Sequence, residues 1–353
     1  MDKYHAIGLM SGTSLDGIDV AACEFIHADG KWTFKIISNH TYPYSPEWKS
    51  KLAGLASADA LTLSYANVEY GHMLGRMTRA FIENAGFQPD LIASHGHTIF
   101  HQPSKGLTLQ IGSGSAIAAE TGFPVVSDFR SADVALGGQG APLVPVGDRL
   151  LFAEFDACLN LGGFANVSME LEGDRIAFDI CPVNIVLNRI ASRLGMEYDK
   201  DGETARSGKV DSGLLNRLNN LDYYKQKWPK SLGREWLEQE FLPLTDHYDG
   251  PEADLLRTVC EHVAVQVRQS LHLQKGSSVL VTGGGAHHLF LMERISDKSY
   301  YHWILPQNEW IDFKEAMVFA FLGVLRWRGE SNILSSVTGC RINHSAGAIY
   351  KPI

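Results

Sequence analysis

The chain's 353 residues exceed what one small core organises and suit two domains. Hydrophobic residues at 45% and charged residues at 20% are ordinary for a soluble globular protein, and a formal charge of −9 without a basic stripe argues against nucleic acid as a partner. The best apolar run, Ala316 to Leu325, is shorter than the roughly 18 residues of a membrane span, so no membrane partner is expected. Met1-Asp2-Lys3-Tyr4 leads into a strand with no basic leader, and Cys23, Cys158, Cys181, Cys260 and Cys340 form no C-x-x-C pair. Both features point to a cytoplasmic protein with reduced, buried thiols.

In chain order, the pattern predicts strands at about 4–10, 18–26 and 32–40, then helices near 46–57 and 62–85. A strand at about 90–94, one at 107–112, a helix at 114–121 and a strand at 124–128 follow. The turn between the first two strands, Ser11-Gly12-Thr13-Ser14-Leu15-Asp16-Gly17, is built from small and hydroxylated residues. Such a hairpin turn lets backbone amides approach a phosphate, since glycine leaves no side chain in the way. An ordinary hairpin turn is the alternative, against which stand Asp16 and Asp19 beside three hydroxyls, a set suited to a nucleotide and its metal. An acidic protein that binds ATP must rely on such amides and on a bound cation, for which Mg²⁺ held by carboxylates is expected.

The second half starts again with the same grammar. Strand, Gly162-Gly163 turn and strand run from Ala157 to Met169, and a third strand runs from Arg175 to Asp179. Helices are expected near 183–194, 211–218, 232–240 and 252–274, then a strand at 278–282, Gly283-Gly284-Gly285 and a helix from about Ala286. The expected fold is therefore α/β: two similar domains with mixed sheets flanked by helices, a duplication with an interdomain cleft. The expected boundaries are 1–140 and 141–353, the latter carrying a helical insertion. Neither G-x-x-x-x-G-K-[ST] nor G-x-G-x-x-G after the first strand is present, so the phosphate site falls to hairpin turns.

Ordered motifs carry a family resemblance along the whole chain. They are Gly8-Leu9-Met10-Ser11-Gly12-Thr13-Ser14-Leu15-Asp16-Gly17-Ile18-Asp19, Ser94-His95-Gly96-His97-Thr98, Ser127-Asp128-Phe129-Arg130, Gly137-Gly138-Gln139-Gly140-Ala141-Pro142, Asn160-Leu161-Gly162-Gly163-Phe164-Ala165-Asn166, Pro229-Lys230-Ser231 and Lys314-Glu315-Ala316. The chain resembles anhydro-N-acetylmuramic acid kinases, within the superfamily of sugar kinases, Hsp70 and actin, and this resemblance implies that the duplication is actin-like (ribonuclease H-like). The resemblance implies that water opens the 1,6-anhydro ring of a cell-wall amino sugar while the ATP γ-phosphate passes to O6. The product would be N-acetylmuramic acid 6-phosphate, in peptidoglycan recycling. A same-fold kinase for another amino or anhydro sugar is one alternative, and a non-catalytic Hsp70-like or actin-like nucleotide-binding module is another. A homodimer stays open.

The resemblance assigns Asp179 as the general base. It gives ATP to Gly12, Thr13, Ser14, Leu15, Asp16, Gly17, Ile18, Asp19, Gly162, Gly163, Gly283, Gly284 and Gly285, and the sugar to His97, Asp128, Arg130 and Glu315. An Arg fork suits a sugar carboxylate, although Arg130 and Asp128 also fit an interdomain salt bridge. Asp179 and Glu315 equally fit helix-end roles. His95, His97 and His101 lack a neighbouring carboxylate or cysteine, so no metal site is assigned to them. Departures cluster at Asp179-Ile180-Cys181-Pro182-Val183-Asn184, where the family has Asp-Thr-Gly-Pro-Gly-Asn. Either the turn differs locally or the sugar pocket is reshaped.

Overall fold

The computed structural model describes residues 1–12, Leu15 and 17–352. Its strands are β1 (Asp2–Met10), β2 (Gly17–Ala28), β3 (Lys31–Pro43), β4 (Leu91–Ser94), β5 (His97–Gln102), β6 (Leu107–Ile111) and β7 (Val125–Ser127). They continue with β8 (Ala157–Leu161), β9 (Phe164–Leu171), β10 (Asp174–Pro182), β11 (Ser278–Thr282), β12 (His302–Ile304) and β13 (Ala348–Tyr350). One sheet has the order β3-β2-β1-β4-β7-β13 and a second β10-β9-β8-β11-β12, while β5 and β6 form a separate hairpin. In each sheet a three-stranded antiparallel meander precedes two parallel strands added by crossovers. The duplication expected from the repeated hairpin is thus present strand for strand, in an α/β fold with mixed sheets.

The chain separates into Met1–Phe152 with Phe313–Ile353, and Ala153–Asp312. This differs from the expected division at 140 and 141, because the C-terminal stretch belongs to the first unit. β13 pairs antiparallel with β7 through Ala348–Ser127, Ile349–Val126 and Tyr350–Val125. That return is a long-range pairing that no local period announces.

In the first unit, alternation along β1 decides what each face meets. Ile7 and Leu9 enter a core with Tyr70, Leu74 and Phe81 of the helix Ala60–Ala85. Asp59 starts that helix, its carboxylate accepting from the amides of Leu61 and Thr62, and left-handed Gly86 ends it. Between Ile7 and Leu9, Gly8 faces the helix Asn308–Arg328. A Cβ there would stand 1.8 Å from the carbonyl oxygen of Ala316, so only glycine admits this approach. Gly323 meets Ala93 of β4 in the same way, and Phe321 packs on Phe25 and Trp32. The first sheet is therefore covered by helices on both faces.

In the second unit, Leu159, Val167 and Val281 of the sheet bury against Val259, Val263 and Val267 of the helix Glu252–Ser270. Val186, Leu187 and Ile190 of the helix Asn184–Arg193 join the same core. The helix expected from Ala286 is a 3₁₀ turn, Gly284–His287, followed by the helix Leu289–Ser296. The third strand continues through Pro182 instead of stopping at Asp179, and β5 is an element the sequence pattern did not indicate.

Gly8→Ala is expected to destabilise the protein by at least the 1–3 kcal/mol typical of overpacking, because its obstacle is backbone. Gly54→Ala, where an added Cβ meets nothing within 4 Å, should change stability by less than about 1 kcal/mol. Urea denaturation of both variants checks the contrast.

Candidate functional site

The turn joining β1 to β2 holds the expected phosphate-facing residues of the first unit. Thr13, Ser14 and Asp16 lie outside the described residues. Leu15 is left-handed at φ 60°, and Gly17 is fixed by the fold, since a Cβ would lie 2.6 Å from the carbonyl oxygen of Tyr42. Ile18 is buried in the core next to it, and Gly12 is half-buried. Asp19 accepts a 2.6 Å hydrogen bond from the Thr41 hydroxyl.

Ser11, just before that turn, anchors a buried polar chain. Its hydroxyl lies 3.0 Å from Nδ1 of His97 and 2.6 Å from the Tyr44 hydroxyl, which is 2.5 Å from that of Tyr70. Burial pulls His97 down to about 4, so its ring is neutral at physiological pH and can share a proton with Ser11. His97 thus lies in a buried polar chain with Tyr44 and Tyr70, which sequence reasoning missed because nothing in their local pattern marks them as more than core aromatics.

Arg130 is the most constrained charge in the first unit. Nε and Nη2 approach Nε2 of His95 at 3.1 and 2.8 Å, and Nη1 donates to the carbonyl of Gly140 at 2.5 Å. His95 in turn sets Nδ1 2.9 Å from the carbonyl of Gly96, which fixes the tautomer with Nε2 as acceptor. Burial, and next the charge of Arg130, hold His95 well below the usual histidine range. Both hydrogen-bond partners of Arg130 are thus neutral, and no carboxylate oxygen lies within 4.0 Å of it among the described residues. Burial depresses its own proton affinity to about 10, with Glu315 and Asp133 opposing. A part-buried cation held by neutral groups keeps its charge available to an anion.

Asp128 does not share this arrangement. It is exposed, left-handed at φ 59°, and accepts from the amide of Ser131 at 3.2 Å, which caps the short helix Ser131–Ala135. Glu315 does belong near Arg130. Burial raises its pKa; Lys314 and Arg130 oppose that rise, and Asp19 and Asp148 reinforce it. Asp148 and Lys314 make a buried 2.7 Å ion pair beside it.

In the second unit the glycines divide by what a side chain would meet. At Gly283 (φ 82°) a Cβ would lie 2.3 Å from Asn160 Oδ1, and at Gly285 2.8 Å from Leu161 Cβ, so the fold itself demands both. At Gly162, Gly163 and Gly284 nothing comes nearer than 3.4 Å, and none has a positive φ. The carbonyls of Gly162 and Gly163 accept from the amides of Asn184 and Val183, at 3.2 and 2.8 Å, where the helix Asn184–Arg193 begins. Three glycines that the fold does not need mark an open surface for a close-fitting ligand.

Asp179 sits at a register shift between β10 and β9, between Asp179 and Cys181. Such a bulge re-aims one side chain out of the alternation. Oδ2 accepts from the amide of Leu232 at 2.8 Å, the Asp179 amide donates to the Lys230 carbonyl at 3.4 Å, and the Tyr223 hydroxyl donates to the Asp179 carbonyl at 2.6 Å. Burial lifts the carboxyl to about 6, the Leu232 amide opposing. Tyr223, which no motif of the sequence singled out, locks the backbone of this carboxylate. Cys181 and Val183 are fully buried in the apolar core, and neither has a positive φ. Their side chains face the core.

Across residues 4–352 the chain matches the family model of anhydro-N-acetylmuramic acid kinase. Proteins of that name from Aliivibrio fischeri (36% identity over 374 residues, 99% of each chain) and Vibrio cholerae (36% over 370 residues, 98% of each) are similar to it end to end. The chain belongs to the anhydro-N-acetylmuramic acid kinase family. It is an enzyme, an ATP-dependent sugar kinase. Among solved structures it is similar to (R)-2-hydroxyglutaryl-CoA dehydratase component A of Acidaminococcus fermentans, with TM-score 0.41 and 12% identity over 89% of this chain and 99% of that one. It is also similar to a ROK family glucokinase from Streptomyces griseus, with TM-score 0.38 and 12% identity over 90% of this chain and 97% of that one. No helix among the described residues is long and apolar enough to cross a membrane.

Gly162→Ala and Gly284→Ala are expected to leave the melting temperature within a degree or two yet weaken ATP binding at least about fivefold. Gly285→Ala should lower the melting temperature first, since its Cβ meets Leu161. Calorimetry beside thermal melts separates the two classes.

Proposed function

We propose that this kinase converts 1,6-anhydro-N-acetylmuramic acid, water and ATP into N-acetylmuramic acid 6-phosphate and ADP, with Asp179 as general base. The carrying observation is the Asp179 carboxyl, anchored through Oδ2 on the Leu232 amide while burial tunes it to about 6. A base titrating just below neutrality is ionised at work and still basic enough to accept a proton. In the proposed step water attacks C1 as Asp179 takes its proton. The C1–O6 bond breaks, and O6 forms its bond to the γ-phosphorus as ADP leaves.

Arg130 receives the sugar's lactyl carboxylate in this reading, since its charge otherwise stands among neutral donors and acceptors. His97 and Glu315 hydrogen-bond the ring hydroxyls and amide, and Asp128 shapes the loop from outside. The turns at 11–17 and 162–163, with Gly284, take the nucleotide. Asp19, a carboxylate near the start of β2 just after the phosphate-facing turn, is the hard-oxygen group that would hold Mg²⁺. Mg²⁺ supplies charge neutralisation at the phosphoryl group when bound. Burial of the Cys181 and Val183 side chains in the core supports the family's own sugar over a different one. Five cysteines, all free and buried, suit a cytoplasmic location.

Turnover in H₂¹⁸O, followed by mass spectrometry, is expected to place the label on C1 and none in the phosphate. Label in the phosphate, or a different sugar preferred tenfold in a substrate panel, contradicts the proposal. Asp179→Asn should lose at least about a hundredfold in sugar-dependent ADP release while ATP affinity stays unchanged. A variant retaining more than about a tenth of the turnover would remove Asp179 from the role of base. In the wild type, kcat/KM should fall below about pH 6 with unit slope, because the free enzyme's carboxylate must be unprotonated.

A further inference from the structure

Arg130 has a second layer of support that the reaction does not use. Its Nη1 donates to the carbonyl of Gly140, and the amide of that same residue donates to Oδ2 of Asp133 at 2.6 Å. Asp133 is fully buried. Its Oδ1 accepts from the Thr338 hydroxyl at 2.8 Å and lies 3.2 Å from Nε2 of His344, both from the C-terminal stretch. The Gln139 amide donates to the Thr338 carbonyl at 2.8 Å and the Gly138 amide to the Asp133 backbone carbonyl at 2.9 Å, so the loop is tied to Asp133 and to the C-terminal stretch at three successive amides.

The geometry fits only glycines. Gly140 is left-handed at φ 67°, with Val134 Cγ2 2.9 Å from where a Cβ would stand. At Gly138 a Cβ would lie 2.3 Å from Asp133 Oδ2. Cys340 also stands beside Asp133 and His344. The polar atoms of this trio are engaged by the protein: Asp133 takes Gly140, Thr338 and His344, and the Cys340 thiol donates to the Ile342 carbonyl at 3.2 Å. That satisfied arrangement favours a scaffold over a metal centre.

We propose that Asp133 and His344 are positioning residues for Arg130. They hold residue Gly140 at its amide, which sets the direction of its carbonyl, and that carbonyl holds the guanidinium in the orientation that receives the substrate carboxylate. The proposal rests on the reading of Arg130 given above. The physical point is that Asp133 does not pair with Arg130 directly. A direct ion pair would neutralise the cation and occupy its fork. Acting through one residue, the carboxylate fixes the Gly140 backbone and with it the direction of the carbonyl that Nη1 meets, while the charge of Arg130 remains for the ligand.

The test compares 1,6-anhydro-N-acetylmuramic acid with the same sugar lacking the lactyl ether, at saturating ATP and Mg²⁺. Arg130→Met, Asp133→Asn, His344→Ala and Thr338→Val are assayed beside the wild type. Wild type is expected to prefer the acid sugar by roughly 30-fold or more in kcat/KM, the scale of a hydrogen-bonded charge, and Arg130→Met to lose that preference. Asp133→Asn and His344→Ala should raise KM for the acid sugar about tenfold, with kcat within about threefold and the preference reduced in parallel. ATP affinity should not move. Equal losses on both sugars, or an unchanged preference, would show a purely structural role and overturn the proposal while leaving Arg130 as carboxylate reader. A wild type without preference would remove the Arg130 reading, and this proposal with it. Should Asp133→Asn not fold, His344→Ala and Thr338→Val carry the same comparison, each removing one bond to a carboxylate that keeps the others.

Discussion

The backbone contact between Gly8 of β1 and Ala316 is the constraint on which the first unit turns. Because no side chain separates them, the C-terminal helix lies directly on the central strand of the sheet. Gly323 against Ala93 repeats the contact about two turns later, so the helix axis is held at two points. This seating brings Lys314 to Asp148 and sets Glu315 among the charges of Asp19 and Arg130. It also carries the chain onward to Thr338 and His344, which close on Asp133. A single steric allowance thus decides which carboxylates and cations share the unit's polar end.

Electrostatics then take over from packing. The first unit keeps Arg130 cationic among neutral partners and His95 and His97 neutral by burial. Histidines held below their ordinary range act as hydrogen-bonding groups of fixed polarity, not as pH switches. The second unit arranges a carboxylate at Asp179 whose environment favours its protonated form. The first unit thus holds a cation whose hydrogen-bond partners are neutral, and the second a carboxyl that burial makes reluctant to ionise.

Much of this was legible in the sequence because it is local. The strand, glycine turn, strand grammar at 6–21 and again at 157–169 follows from side-chain alternation and turn chemistry, and it gave the duplicated meander correctly. The motif around Asp179 could be read for the same reason. What escaped depends on distance along the chain. Residues 313–353 return to the first sheet through a pairing between Val125–Ser127 and Ala348–Tyr350. Tyr223 reaches Asp179 across 44 positions, and His344 reaches Asp133 across 211. Glycines posed a different difficulty: Gly283 and Gly162 look alike in a sequence. Only the space around each separates a glycine needed by the fold from one left open for a ligand.

The raised pKa of Asp179 also has a thermodynamic side. A carboxyl raised from 3.8 to about 6 in the folded state binds its proton more tightly there than in the unfolded chain. Its contribution to stability is therefore fully present below about pH 4 and is lost as pH rises through 6. At neutral pH the ionised Asp179 opposes folding by an amount on the order of 2 kcal/mol. Glu315, raised in the same direction by burial, adds to that opposition. The apolar core that takes in Cys181, Val183 and Phe178 around Asp179, with Tyr223 bonded to its backbone, offsets the burden locally. The side chains that stand where the family has glycines thus add buried apolar volume beside a carboxyl whose charged form burial disfavours, which is a physical reason, resting on stability alone, for their presence.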